Sequence, residues 1–173
     1  MEIDWKKIDE RTYKAGFRKM INRKYELPDG TTADYDIVVA GPDVTVLALT
    51  KDNKVILEKV YRPGPDKILT ELPGGFCDAN LTPKDAIKAE LLEETGYTGD
   101  FELVGQTYAD AYSTMQSYHF IARNCEKVQE PVTEEDEFME IIFLSIIDFK
   151  IFLKSGDLTR PETAYIGLNA LQL

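Results

Sequence analysis

The chain has 173 residues, of which 43% are hydrophobic and 29% charged, and this predicts one soluble globular domain with a sizeable core. Its formal net charge of −11 at pH 7 argues against nucleic acid as a partner, because nucleic-acid-binding surfaces are normally basic. The same charge is compatible with a small phosphate-bearing ligand, since a bound metal ion reverses the sign of the local charge.

The two cysteines, Cys77 and Cys125, do not form a disulfide framework, and we expect free thiols in a reducing compartment. The N-terminal sequence has no apolar segment of signal-peptide length, and no apolar run approaches the length of a membrane span. These features predict a cytoplasmic protein with no membrane partner.

The chain begins with a polar segment, residues 1–12, which we expect to be loosely held with Trp5 as an anchor. Strand-like segments at 13–27 and 31–40 then flank the Pro-Asp-Gly turn signal at 28–30. This arrangement predicts an N-terminal β-hairpin.

Valine, isoleucine and leucine fill two further strand-like segments, 43–49 and 54–61, which predict a second hairpin around 52–53. Their near-continuous apolar sequence indicates strands covered on both faces. Residues 62–65 break the second strand, and extended structure is predicted again from 67 to 72.

The next stretch, 74–97, reads GGFCDANLTPKDAIKAELLEETGY and predicts a glycine turn, a short loop and a helix. Thr82 is a suitable N-cap, Pro83 fits the first helical position, and Gly96 is a natural C-terminal stop. Further strands are predicted at 101–107, 117–122 and 139–144, with a charged loop at 126–137 before the last of them. Two helices are predicted at 146–154 and 161–173. The order of elements predicts a mixed α/β (α+β) fold.

Glu90, Glu93 and Glu94 lie at i, i+3 and i+4, so their side chains share one face of the predicted helix. Like charges at this spacing destabilise an isolated helix, whereas a hard divalent cation such as Mg²⁺ reverses that penalty. Spacing alone favours the simpler alternative, a solvated acidic face.

The stretch from 74 to 97 resembles the Nudix box, G-x5-E-x7-R-E-U-x-E-E-x-G-U, in which U is a bulky apolar residue. The matching positions are Gly75, Glu90, Leu91, Glu93, Glu94, Gly96 and Tyr97. Two positions depart from the pattern, because Leu81 stands where a glutamate is expected and Ala89 where an arginine is expected. The preceding sequence, VILEKVYRPGPDKILTELPGG, is similar to that of the ADP-ribose pyrophosphatase group of this family.

The resemblance implies the Nudix fold, a mixed β-sheet sandwiched between helices, with an N-terminal β-hairpin extension. We expect a single domain over 1–173, with the extension at 1–41 and the Nudix core at 42–173. Members of the ADP-ribose pyrophosphatase group are typically dimers whose N-terminal strands pack across the interface. We therefore expect a homodimer with a dimer contact in the extension.

The implied activity is metal-dependent hydrolysis of a nucleoside diphosphate linked to another moiety, with ADP-ribose or a nucleotide sugar as the leading substrate. The products would be a nucleoside monophosphate and a sugar phosphate. By resemblance, Mg²⁺, with Mn²⁺ as a substitute, is bound by Glu90, Glu94 and the backbone carbonyl of Gly74. Glu93 is a catalytic group, as a further ligand or a support for the ligands.

The general base is expected in the late acidic loop, where Glu135 and Glu137 are the two candidates. A plain solvated charge run is the alternative for either residue. Substrate contacts are expected from Arg62 to a phosphate, from Glu71 in the same pocket, and from Tyr112 as a substrate-selecting residue. The alternatives are a surface ion pair for Arg62 and an ordinary strand-edge carboxylate for Glu71.

The departures at Leu81 and Ala89 support a second hypothesis, a catalytically weak Nudix-fold sensor that binds a nucleotide. The intact Glu90, Glu93 and Glu94 favour the enzyme. The single histidine, His119, lies in an apolar strand-like segment and is interpreted as structural.

Overall fold

The structure is a computed structural model and describes residues 3–132 and 138–173. Within these ranges it contains ten β-strands and three α-helices, and a 3₁₀ helix at Leu153–Ser155 follows the second α-helix. In chain order the elements are β1 Lys6–Ala15, β2 Arg18–Glu26, β3 Thr32–Val39, β4 Asp43–Thr50, β5 Lys54–Arg62, β6 Lys67–Glu71, β7 Gly74–Phe76, α1 Pro83–Thr95, β8 Tyr97–Tyr108, β9 Gln116–Lys127, β10 Met139–Ser145, α2 Ile146–Phe152 and α3 Pro161–Ala170.

The chain divides into two compact units, the first formed by the segment up to Pro42 together with Thr107–Gln116. The second unit comprises Asp43–Gln106 and Ser117–Leu173. The division after Pro42 lies one residue from the expected end of the extension at 41, but the first unit also includes a later segment. The single-domain organisation over 1–173 stays a prediction.

The first unit contains a three-stranded antiparallel sheet in the order β1-β2-β3. The expectation of a loosely held segment is wrong from Lys6 onward, because β1 pairs with β2 along nearly its whole length. All ten residues of β1 are exposed, and no face of the strand is buried. Its sequence therefore lacks the alternation of apolar and polar residues that indicates a half-buried strand. Its backbone pairing to β2 defines it instead.

The predicted N-terminal hairpin is confirmed for β2 and β3, although the first strand begins later than residue 13. Around its turn, the amide of Leu27 donates to the carbonyl of Thr31 at 2.8 Å and the Asp29 carboxylate accepts from the Thr31 amide at 2.9 Å. Trp5 is an anchor as expected, since its ring contacts those of Tyr25 and Tyr35 at centroid distances of 5.8 and 5.4 Å.

The second unit is built on a seven-stranded mixed sheet with the order β10-β5-β4-β9-β8. Strand β4 runs parallel to β9 but antiparallel to β5 and β7, and β6 is antiparallel to β5. The predicted hairpin of β4 and β5 is confirmed. Strands β8 and β9 are longer than expected, and in their added polar residues Asn124 Nδ2 donates a hydrogen bond to Asp100 Oδ2 at 2.9 Å.

Side chains of β4 alternate between two apolar cores on opposite faces of this sheet. Val46 belongs to the core that includes Ile87 and Leu91 of α1, whereas Leu47 belongs to the core that includes Phe149 of α2. Helix α3 also packs into the second core. Burial of each such side chain contributes about 1.5–3 kcal/mol, so both faces hold the sheet in place. The predicted mixed sheet sandwiched between helices is confirmed.

The C-terminal helices and the two cysteines can be compared directly with their predictions. The helix predicted at 146–154 is α2 followed by the 3₁₀ helix, and α3 ends at Ala170 rather than at the last residue. Cys77 and Cys125 are both free thiols, as predicted. No helix in the described part of the chain is long and apolar enough to cross a membrane.

Candidate active site

Helix α1 carries the three glutamates, and both of its ends are fixed as predicted. The Thr82 side chain accepts a hydrogen bond from the amide of Asp85 at 3.2 Å, and Pro83 occupies the first turn. Gly96 ends the helix in the left-handed conformation, with φ of 77°. The register of the acidic residues relative to the preceding turn is therefore fixed.

The glycine turn of β7 pairs with β4 and lies against α1. Gly74 has φ of 153°, and a Cβ at this position would overlap the carbonyl oxygen of Val44. A Cβ on Gly75 would instead overlap the carboxylate of Glu90. The two glycines therefore have different roles. Gly74 allows the pairing of β7 with β4, and Gly75 leaves room for the side chain of Glu90.

The turn and the helix meet through a direct hydrogen bond. The Gly74 amide donates to Glu94 Oε2 at 2.9 Å, while the carboxylate of Glu90 lies against Gly75. Glu93 is exposed on the same helix and lines the same cavity. The structure thus brings the predicted Gly74, Glu90, Glu93 and Glu94 together at one place.

A cavity of about 670 Å³ opens in front of this turn, a volume typical of small-molecule sites. Among the described residues its charged lining comprises five carboxylates and two guanidinium groups, namely Glu71, Asp78, Glu90, Glu93, Glu94, Arg62 and Arg160. Excess negative charge in a concave site favours a divalent cation, which in turn allows an anionic substrate to approach.

The donor set fits a hard divalent ion, since carboxylate and carbonyl oxygens are the ligands that Mg²⁺ prefers. The space that Gly75 leaves for Glu90 supports this fit, because a side chain there would exclude the carboxylate from the turn. In the described ranges, no three His, Cys, Asp or Glu side chains form a ready-made metal-binding group. The donors that the turn and the helix offer are carboxylates together with a backbone carbonyl, that of Gly74.

Arg62 forms a bidentate ion pair with Glu71, the alternative that the sequence left open. Its Nε donates to Glu71 Oε1 at 2.9 Å and its Nη2 to Oε2 at 2.7 Å. Both residues line the cavity, and the Glu71 side chain is only 13% exposed. The bidentate edge of Arg62 is thus occupied by a carboxylate, and its contact with a substrate phosphate stays a prediction.

Arg160 lines the same cavity and was missed in the sequence. Its Nη1 lies 2.9 Å from Oδ2 of Asp43 and donates to Thr45 Oγ1 at 3.3 Å. The contact with Asp43 is an ion pair without hydrogen-bond alignment, and the Asp43 side chain is 1% exposed. Two signals could have drawn attention to this pair: an arginine at the N-cap position before Pro161, and an acidic residue opening an apolar strand.

The structure does not test the roles of the three remaining predicted site residues. Tyr112 belongs to the first unit, where its ring stacks on that of Tyr35 with centroids 6.1 Å apart. Glu135 and Glu137 lie outside the described residues. The substrate role of Tyr112 and the identity of the general base therefore stay predictions.

His119 and Cys77 have the properties expected of structural residues. His119 is 1% exposed, its Nδ1 lies 2.7 Å from Thr163 Oγ1, and burial lowers its pKa. Burial, together with the nearby charge of Asp78, raises the pKa of the Cys77 thiol, which disfavours a thiolate nucleophile.

Comparison with known proteins agrees with the architecture and with the glycine turn and helix. The family model described as the NUDIX domain matches residues 40–162. The chain belongs to the Nudix family. The matched region begins close to the start of the second unit and includes the glycine turn, α1 and Arg160.

Among individual Nudix relatives, the ADP-ribose pyrophosphatase of Bacillus subtilis (strain 168) is 30% identical over 151 residues, covering 86% of this chain and 81% of that protein. The methanol dehydrogenase activator of Bacillus methanolicus is 28% identical with the same coverage. A crystal structure of an ADP compounds hydrolase superposes with a TM-score of 0.87 at 15% identity, over 99% of this chain and 97% of that one. This last similarity confirms the Nudix fold.

Proposed function

We propose that this Nudix protein hydrolyses a nucleoside diphosphate linked to another moiety, with ADP-ribose or a related nucleotide sugar as substrate. The products are a nucleoside monophosphate and a sugar phosphate. The observation that carries the proposal is the convergence of Glu90, Glu93 and Glu94 with the glycine turn on one cavity. Similarity over most of the chain to an ADP-ribose pyrophosphatase supports the substrate class.

The proposed cofactor is Mg²⁺, with Mn²⁺ as a substitute, since Nudix hydrolases generally need a divalent metal ion. Glu90, Glu94 and the carbonyl of Gly74 would hold it. When bound, such an ion neutralises charge on the diphosphate and lowers the pKa of water. The family assignment supports a divalent cation, and the oxygen donors of the turn favour Mg²⁺ over softer metals.

The protein's own groups have separate tasks in this proposal. Helix α1, anchored to the turn by the Gly74–Glu94 hydrogen bond, holds the carboxylates in a fixed register. Glu93 supports the ligands from the same helix, while Glu135 or Glu137 takes a proton from the attacking water. The Arg62–Glu71 pair shapes the cavity wall, and Tyr112 helps to select the substrate.

We also propose a cytoplasmic homodimer, without nucleic-acid or membrane partners, that acts on a small-molecule nucleotide. The first unit supports the dimer, because β1 is an edge strand with all its residues exposed and offers backbone groups for pairing. Exposed apolar side chains flank this strand, including Ile3 at 79% and Phe17 at 93% exposure. The free thiols Cys77 and Cys125 support a reducing compartment.

A catalytically weak nucleotide sensor is the second candidate, and the observations that favour it are Leu81 and Ala89. Neither residue can supply the charge that the family pattern places there. The two candidates differ in one measurable property: both bind a nucleotide, but only the hydrolase releases products at a substantial rate.

The deciding experiment measures product release from a panel of nucleoside diphosphate derivatives, with Mg²⁺, with Mn²⁺ and with chelator. We expect metal-dependent cleavage that is lost in Glu94→Gln. Glu102→Gln is the matched control, because Glu102 pairs with Arg123 on the surface and does not line the cavity. Nucleotide binding without cleavage would favour the sensor, and absence of both would overturn both candidates.

A further inference from the structure

A polar cluster is buried on the face of the main sheet that α3 covers. Asp43 is paired in register with Ser117, and Thr45 is paired with His119, across the parallel strands β4 and β9. All four residues are less than 5% exposed, at 1%, 4%, 3% and 1% respectively. Buried polar residues at the end of a sheet need partners, and Arg160 supplies one to Asp43 and Thr45.

The backbone at Arg160 is held in an unfavourable conformation. Its φ and ψ are 51° and 52°, a left-handed geometry that is costly for a residue with a side chain, and Pro161 restricts it further. Arg160 occupies the N-cap position of α3, yet its side chain makes no capping hydrogen bond. Local helix capping therefore does not explain the arginine, whereas its contacts with β4 and its place on the cavity wall do.

The two guanidinium groups that line the cavity differ in which edge is available. Arg62 uses its Nε and Nη2 for Glu71, which is the edge that otherwise binds a phosphate in bidentate fashion. Arg160 uses Nη1 for Asp43 and Thr45, while its Nε and Nη2 make no hydrogen bond to the described residues. Its side chain is 37% exposed. Arg160 thus offers the cavity the edge that Arg62 does not.

We propose that Arg160 binds a phosphate of the substrate through its Nε–Nη2 edge, and that Asp43 is the positioning residue that holds the guanidinium for this contact. The proposal rests on the hydrolase or sensor described above, since it requires an anionic ligand in the same cavity. The buried Asp43 carboxylate fixes one side of the guanidinium, so little side-chain freedom is lost when the phosphate binds.

A purely structural role for Arg160, as the counter-charge of Asp43, makes a different prediction. Removal of Arg160 alone leaves a carboxylate buried without a cation, and the protein loses stability for that reason. Removal of both charges, in Asp43→Asn/Arg160→Gln, relieves that penalty. If the arginine serves only Asp43, the double variant regains ligand binding together with stability; if it binds phosphate, only stability returns.

The test measures the dissociation constant of ADP-ribose and of inorganic pyrophosphate by calorimetry in chelator, with the melting temperature of each variant. We expect the double variant to melt above Arg160→Gln yet to bind ADP-ribose about 10- to 100-fold more weakly than the wild type, as for loss of charge-assisted hydrogen bonds. Arg160→Lys, which keeps the charge but not the bidentate edge, should bind with intermediate affinity. In steady-state kinetics with Mg²⁺, Asp43→Asn should raise KM more than it changes kcat.

Arg123→Gln is the matched control, because Arg123 pairs with Glu102 on the surface and does not line the cavity. Wild-type affinity in the double variant would overturn the proposal for Arg160. The proposed hydrolase would still stand if the wild type cleaves ADP-ribose. Binding without cleavage in the wild type would remove the hydrolase and still decide the role of Arg160. No binding of either compound to the wild type in chelator would overturn the phosphate contact of Arg160, whereas the hydrolase is decided separately by cleavage with Mg²⁺.

Discussion

The backbone amide of Gly74 donates a hydrogen bond to Glu94 Oε2 at 2.9 Å, and this contact joins the glycine turn to the helix that follows it. This single hydrogen bond joins a turn residue and a helical side chain that are 20 positions apart in the sequence. The hydrogen bond thereby orients the whole Glu94 carboxylate, because its two oxygens belong to one rigid planar group. A metal ion and the Gly74 amide would compete for, or share, this one group.

Glu94→Gln should abolish stabilisation of the protein by Mg²⁺ while leaving the fold intact. A ligand present at 100 times its dissociation constant stabilises the folded state by about 2.7 kcal/mol, so the wild type should melt at a clearly higher temperature in Mg²⁺ than in chelator. The glutamine keeps an oxygen that can accept from Gly74 but lacks the charge. Thermal denaturation with and without Mg²⁺ measures the effect, and an equal shift in both proteins would remove Glu94 from the site.

Alanine substitutions at the two glycines of the turn should affect different properties, activity at Gly75 and stability at Gly74. Gly75→Ala pushes on the end of the flexible Glu90 side chain, so activity should fall on the order of 100-fold with little change in melting temperature. Gly74→Ala pushes on the backbone of β4 at a positive φ, and should cost about 2 kcal/mol or more of folding free energy. Denaturant titration and product release, measured on both variants, separate the two effects.

The control for this pair is Gly64→Ala, because a Cβ at Gly64 would meet no other atom within 4 Å. It should change neither activity nor stability substantially. Equal losses of stability in the two turn variants would contradict the assignment of separate roles to Gly74 and Gly75.

Ala89→Arg should raise turnover a few-fold, because it restores the cation that the family pattern places before the acidic triplet. Ala89 is partly buried beside Glu90 on α1, and an arginine there could reach the neighbouring carboxylates by its long side chain. The measurement is kcat with Mg²⁺, with Ala79→Arg in the preceding loop as a control for added charge. No gain in turnover would mean that the site operates without that cation.

Local chemistry allowed several parts of this protein to be predicted from sequence. The N-cap at Thr82, the stop at Gly96 and the turn at 28–30 each depend on residues within a few positions of one another. The acidic face of α1 follows from helical periodicity, and its place beside the turn follows from the resemblance. These features therefore follow from the sequence alone.

Other parts depend on contacts between residues that are distant in the sequence, and local patterns do not determine which residues meet. Strand β1 is exposed throughout and is defined by pairing with β2 rather than by its own pattern. The Asp43–Arg160 pair joins the start of one strand to the start of the last helix, and only the tertiary fold brings these residues together. The ion pair of Arg62 with Glu71 likewise changes which arginine offers its bidentate edge to a ligand.

Acidification should destabilise the protein partly through His119. Burial lowers the pKa of His119 most strongly, while Glu162 and Asp43 act to raise it and Arg160 to lower it. Because the folded pKa lies below the unfolded value of about 6.5, the unfolded chain binds more protons as the pH falls below that value. The contribution of His119 is thus complete above about pH 7 and decreases on acidification, by at most about 1.4 kcal/mol for each pH unit.

His119→Asn removes the titrating group and retains a side chain that can hydrogen-bond to Thr163. We expect the variant to be less stable than the wild type at pH 8 but to lose less free energy of unfolding between pH 8 and pH 5. Urea denaturation at both pH values measures the difference, and the titration of surface carboxylates cancels because both proteins share it. If the two proteins lose the same free energy on acidification, the neutral form of His119 is not a source of acid sensitivity, and the carboxylates alone account for it.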